Sequence, residues 1–151
     1  MPKKKNEDPQ NKQMKFKVDT IKIPEFHFTD MTGKTGPACF KFTINDLVSF
    51  ETKSVKTTVI LMLIGQDEPE ERPLISLTVE IFFDITNFDE VFVTGSKKLP
   101  FEVMNFFHSF SLSFARGVLY EKTSGILAPG MFFPLVDTAE LLKNAQVNVN
   151  E

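Results

Sequence analysis

The stretch Ile75-Ser76-Leu77-Thr78-Val79-Glu80-Ile81-Phe82-Phe83-Asp84-Ile85-Thr86 decides the fold class. Its odd positions are all large and apolar. Its even positions carry hydroxyls and carboxylates, with one aromatic exception, Phe82. Successive side chains of a strand point to opposite faces, so this alternation predicts a strand with one face on a core and the other mostly toward water. Working back toward the N-terminus, Gln66 to Pro73 is a charged connection of hairpin type, which makes the preceding strand its antiparallel neighbour. That strand, Val55 to Ile64, turns Val59, Leu61 and Leu63 one way and Ile60, Met62 and Ile64 the other. Its second half is therefore apolar on both faces. Before it, Phe40, Phe42 and Ile44 alternate with Lys41, Thr43 and Asn45.

The first strand is predicted from Val18 to Thr29, and its apolar parity changes along the way. Ile21 and Ile23 are odd, Phe26 and Phe28 even, with the switch at Pro24-Glu25. A one-residue slip turns side chains to the opposite face, so a bulge or bend is expected there. Pro24 lacks a ladder donor, which favours an edge strand. Residues 32–37 read as a turn or loop.

After Gly95 the period changes from two to three or four. Leu99-Pro100 precedes Val103, Phe107, Phe110, Phe114 and Val118, and proline suits the first turn of a helix. Met104, Leu112, Ala115 and Leu119 widen the apolar stripe beyond one narrow face. Gly125 is a natural stop. A loop with Pro129, Gly130 and Pro134 leads to a short second helix near Thr138 to Lys143, capped by Asp137 or Thr138. The fold class expected is α+β: a four-stranded antiparallel sheet with a long and a short C-terminal helix on one face. Residues 1–15 read as a disordered polar tail, 16–144 as the folded domain and 145–151 as a polar C-terminal tail.

Composition narrows the function. The 151 residues are 42% apolar and 25% charged, ordinary for one globular domain. Seventeen Lys and Arg against 20 Asp and Glu leave a net charge of -3, without the positive field that non-specific nucleic-acid binding needs. The longest uncharged apolar run, Thr57 to Gly65, is far below the roughly 20 residues of a membrane helix, so no membrane insertion is expected. One cysteine, Cys39, leaves no internal disulfide and no cysteine-based zinc site. The N-terminus has lysines but no apolar stretch behind them, so no secretory signal is read and a reducing, cytoplasmic location is expected. Aromatic usage is lopsided, with 17 Phe, one Tyr and no Trp.

Catalytic chemistry is sparse. His27 and His108 lack metal-binding neighbours; His108 is expected at a helix position near water and His27 beside the core. Cys39 has no activating motif and reads as a small buried hydrophobe. Thr32-Gly33-Lys34-Thr35 echoes the end of a phosphate loop without its first glycine, and turn chemistry explains it equally well. Asp67, Glu68, Glu70 and Glu71 form a solvated acidic hairpin, which lacks the shielding that acid–base carboxylates require. Neither a cofactor, a metal site nor an enzyme is expected. What remains is surplus apolar surface, the mark of an interaction protein.

The C-terminal third resembles the SecB protein-export chaperones. Ser111-Leu112-Ser113-Phe114-Ala115-Arg116 is similar to that family's helix motif, a leucine or phenylalanine followed by Pro-Tyr-Ala-Arg; Ser113 stands at the proline and Phe114 at the tyrosine. Gly125 and Pro134 follow at the family's intervals, and Pro134 to Leu141 corresponds to its Leu-x-Pro-Val-Asn-Phe-Asp segment with one extra residue. Ile21 to Asp30 is similar to its first strand. The resemblance covers about residues 16 to 143. It departs in a shorter loop, Met31 to Ala38, which lacks the family's tryptophan.

The resemblance implies an ATP-independent holdase that binds unfolded or precursor polypeptides and keeps them translocation-competent. Apolar client contacts are expected at Phe82, Leu127, Met131, Phe132 and Phe133. Glu25 stands at one position of the acidic surface such chaperones present to the SecA motor, and Glu80 lies near another. The alternative is a chaperone or adaptor dedicated to one client, such as an antitoxin, motivated by the shortened loop and partial acidic match. The resemblance also implies a homotetramer built as a dimer of dimers. On a helix of 3.6 residues per turn, Val103, Phe107, Phe110, Phe114 and Val118 are expected to pack on the chain's own sheet. Met104, Leu112, Ala115 and Leu119 are then expected at the oligomer interface.

Overall fold

A computed structural model describes residues 14–29, 38–65, 72–92 and 101–124. Four strands come first: β1 (Phe16–Phe28), β2 (Ala38–Ser49), β3 (Ser54–Gly65) and β4 (Ile75–Ile85). A four-residue helix α1 (Phe88–Val91) and the 22-residue helix α2 (Phe101–Lys122) follow. The sheet is antiparallel throughout, in the order β1-β4-β3-β2, so β1 and β2 are its edges. This is the α+β fold expected from the alternating strands. The second helix near Thr138 to Lys143 lies outside the described residues, as do 1–13 of the N-terminal tail and all of 145–151.

Local chemistry accounts for the elements. β4 sits between β1 and β3, and its odd residues Ile75, Leu77, Val79, Ile81, Phe83 and Ile85 are all buried. The parity switch of β1 is real: its register with β4 shifts between Lys22 and Glu25, across Pro24, and again between Val18 and Thr20. Met14 is buried in the core, and Lys15 is tied down at both backbone groups, its N–H donating to Asn87 Oδ1 at 2.8 Å and its carbonyl accepting from Thr86 N–H at 2.8 Å. The fold therefore reaches back to Met14. The turn between β2 and β3 is made by a non-glycine residue in the left-handed region, Lys53 at φ 50°. Its Nζ pairs with Asp89 at 2.5 Å, linking that turn to α1. Sequence periodicity does not anticipate α1, which is one turn long and held by Phe88 stacked on Phe92 with Phe50 edge-on against Phe88.

The core lies between α2 and one face of the sheet. Val55, Val59, Leu61 and Leu63 of β3 join the odd residues of β4 there, with Phe40, Phe42 and Ile44 of β2 and Phe16, Ile21 and Phe26 of β1 packed around them. The other sheet face carries no helix among the described residues. None of the described helices is long and apolar enough to cross a membrane.

Candidate polypeptide-binding surface

α2 lies on the sheet through a different stripe from the one the periodicity suggests. Met104, Phe107, His108, Ser111, Leu112, Ala115 and Leu119 are its buried residues. Met104, Leu112, Ala115 and Leu119 were expected to face partner subunits; at 6%, 3%, 0% and 1% exposure they form the chain's own core, so this expectation is corrected. Of the stripe expected on the sheet, only Phe107 is fully buried, whereas Phe110 is 36% exposed. Two overlapping apolar stripes run along this helix, and period alone does not choose between them. The buried one includes two polar residues, His108 and Ser111.

What admits His108 to the core is a partner on the far edge strand. Asp46 occupies a core-facing position of β2, in step with Phe40, Phe42 and Ile44. Its Oδ2 lies 2.5 Å from His108 Nε2, and its Oδ1 accepts from Thr57 Oγ1 of β3 at 2.7 Å. A carboxylate has only lone pairs to offer, so the imidazole N–H donates. Thr57 is fully buried, and the Asp46 side chain is 6% exposed. The near-water position expected for His108 is thus overturned. His27, expected beside the core, is exposed with its ring 3.4 Å from Thr29 Oγ1, and Cys39 is exposed rather than buried. The signal for the Asp46 site was present: a carboxylate in phase with three apolar residues, opposite a hydroxyl in phase with Val55 and Val59.

The helix-free face of the sheet collects several of the expected functional residues. Glu25 pairs with Thr78, Lys22 with Glu80, and Thr20 with Phe82, placing Glu25, Glu80 and Phe82 along one face. Phe82 is half-buried with Lys22 Nζ 5.1 Å above its ring, a cation–π arrangement. Glu80 is flanked by lysines on both sides: Lys22 opposite it in the ladder, and Lys56 Nζ at 4.0 Å. On the same face, beyond the Glu80–Thr58 pair, half-buried Ile60 and Met62 form a separate apolar strip toward Ile64. Leu127, Met131, Phe132 and Phe133 lie outside the described residues.

A second apolar surface, not singled out by the sequence, is the outer side of α2. Phe101 is 45% exposed and Phe106 47%. Phe106 and Phe110 lie nearly parallel with centroids 6.2 Å apart, and Phe16 braces Phe106 at 5.1 Å. Beside them runs a shallow groove lined by Phe106, Ser109, Phe110, Ser113 and Phe114. Among the described residues no three His, Cys, Asp or Glu side chains converge as metal ligands would. The chemistry on offer is apolar contact with charge at its margins.

The same arrangement of strands and long helix occurs in a SecB-like chaperone from Mycobacterium tuberculosis, solved in complex with a peptide from the HigA1 antitoxin. The two superpose with a TM-score of 0.55 at 10% identity, over 80% of this chain and 87% of that one. The fold is SecB-like. A protein of unknown function from Streptococcus agalactiae also overlaps, with a TM-score of 0.48 and 14% identity, across 82% of this chain and 100% of the other. No protein-family model and no curated protein matches the sequence. Within the SecB-like fold Arg116, the arginine of the helix motif, donates through Nη2 to the Tyr120 hydroxyl at 3.4 Å, one turn along α2.

Proposed function

We propose that this protein is a passive, ATP-independent holdase that binds unfolded or precursor polypeptides in the cytoplasm and keeps them translocation-competent. The observation that carries this reading is a sheet face that bears no helix among the described residues and holds two apolar patches, Ile60 with Met62 and, across the Glu80–Thr58 pair, Phe82 between Lys22 and Lys56. Exposed apolar surface of this kind marks association sites. Its weak directionality suits clients that share no sequence. Leu127, Met131, Phe132 and Phe133 extend the proposed client surface. Contact with the SecA motor would fall to Glu25, because Glu80 is already set between two lysines.

Self-association belongs to this proposal, on a face corrected from the sequence expectation. The outer side of α2, with Phe106 and Phe110 exposed, is the surface we assign to a second copy and, by pairing of dimers, to a tetramer. Suppression of aggregation of a denatured model protein at one assembly per client tests the holdase reading; no suppression at that ratio rejects it.

A second reading keeps the fold and restricts the client to one partner. The antitoxin peptide held by the Mycobacterium tuberculosis chaperone favours it. Capture from a lysate separates the two: many unrelated precursors support the general holdase, a single stoichiometric protein the dedicated one.

A further inference from the structure

We propose that the outer edge of β2 is a strand-addition site, where an extended segment of an unfolded polypeptide pairs its backbone with residues 43–49. This rests on the polypeptide-binding reading and specifies how the client is held.

The two edges of this sheet are built differently. A sheet edge offers a row of backbone donors and acceptors, and proteins that must avoid pairing there use bulges, proline and charge. β1 has all three: register shifts between Val18 and Thr20 and between Lys22 and Glu25, Pro24 within the second, and Lys17, Asp19, Lys22 and Glu25 along its length. β2 has none over the proposed segment. It pairs with β3 from Ala38↔Gly65 to Ser49↔Ser54 without a register shift, and it contains neither proline nor glycine. Between Thr43 and Ser49 its one charged residue is Asp46. An inward-pointing charge is one of the protective devices when it is left for a pairing strand to bury. Here it is already buried and satisfied by Thr57 and His108, so it repels nothing.

The same contacts fix the edge in place. Asp46 joins β2 to the middle of α2 through His108, and a strand already held straight by a buried tether loses little freedom when another strand pairs with it. Side chains complete the site. Ile44 and Val48 flank Asp46 on the core-facing side, while on the open face Leu47 is 39% exposed and Thr43 lies opposite Ile60 of the apolar strip. Backbone pairing supplies affinity independent of client sequence, and alternate side chains of the added strand would stand beside Thr43, Asn45 and Leu47 on the open face.

The test uses the full chain and, as probe, reduced carboxymethylated α-lactalbumin, which stays unfolded. Hydrogen–deuterium exchange of residues 43–49 is expected to slow at least tenfold on adding the probe, with β1 unchanged. Thr43→Lys with Asn45→Lys, both at exposed positions, gives β2 the charge it lacks and is expected to weaken probe binding at least tenfold. Glu51→Lys places a positive charge on the exposed turn after β2, outside residues 43–49 and off the apolar strip, and is expected to leave binding within about threefold. Probe binding without β2 protection, or with the double variant unaffected, overturns the strand-addition site and leaves the holdase reading standing. Protection of residues 43–49 without probe also overturns it, in favour of a second copy if it grows with concentration, or of the chain's own residues 125–151 if it does not. A wild-type chain that binds no probe rejects the holdase reading itself.

Discussion

Phe107 of α2 lies flat on Phe83 of β4, ring centroids 4.2 Å apart and planes 21° from parallel, with both residues fully buried. This stack sets which side of the helix meets the sheet, and Phe16 closes it edge-on from β1, 5.1 Å from Phe107 and 5.9 Å from Phe83. Removing a buried phenylalanine leaves a cavity as well as losing its transfer energy, so Phe107→Ala is expected to cost about 4 kcal/mol. That is a large share of a domain's usual 5–15 kcal/mol. The adjacent Phe106, 47% exposed, provides the contrast: within the isolated chain Phe106→Ala is expected to change stability by about 0.5 kcal/mol or less. Urea unfolding midpoints of the two variants at equal protein concentration check the pair.

The Asp46–His108 contact spans 62 residues of sequence and joins the helix to the outer strand. Each polar group left buried and unsatisfied costs roughly 1–3 kcal/mol. Asp46→Ala strands both Thr57 and His108 and is expected to destabilise by about 3 kcal/mol. Asp46→Ala combined with Thr57→Val and His108→Leu removes the whole network, and should recover much of that loss because no polar group is left unpaired. A triple variant no more stable than Asp46→Ala would contradict the account.

Strand alternation made most of the sheet legible in the sequence. Ile75 to Ile85 announced a half-buried strand, and Pro24 both the edge and the register break of β1, because these follow from a period of two and a missing N–H. Which face of α2 is buried was not legible in the same way. A helix rich in phenylalanine on one side and in leucine, alanine and methionine on the other satisfies the helical period either way. The choice falls to groups remote in sequence, Phe83 and Asp46, which complement Phe107 and His108. Phe82, Glu25 and Glu80 share a face because the register of β1 on β4 places them there, whereas the sequence established only their parity within each strand.

Ser111 offers a stabilising change. Its side chain is fully buried in α2, and Oγ has no hydrogen-bond partner among the described residues. Ser111→Ala removes the unsatisfied hydroxyl without emptying more than one heavy atom's space, and alanine is the better helix former. A gain of about 1 kcal/mol is expected, read as a shift in urea midpoint with an unchanged slope. Destabilisation instead would mean that the hydroxyl is satisfied within the fold.

The outer side of α2 carries two adjacent rows spaced four apart: Phe106, Phe110 and Phe114, then Ser109, Ser113 and Gly117. A ridge of large residues beside a furrow of small ones lets two copies of one helix interlock about a twofold axis, each ridge in the other's furrow. Nothing among the described residues accounts for glycine in the furrow, since a Cβ at Gly117 would meet none of their atoms within 4 Å. Gly117→Ala is accordingly expected to stabilise the isolated chain by about 1 kcal/mol. Gly117→Leu fills the furrow, and Phe110→Glu charges the ridge; each is expected to lower the mass measured by light scattering while leaving far-ultraviolet circular dichroism intact. Leu112→Glu, in contrast, places a charge at a position only 3% exposed within the core and is expected to unfold the chain rather than dissociate it. A wild-type protein that scatters as a 17.2 kDa monomer at micromolar concentration, or a Phe110→Glu variant that assembles like wild type, would refute this interface.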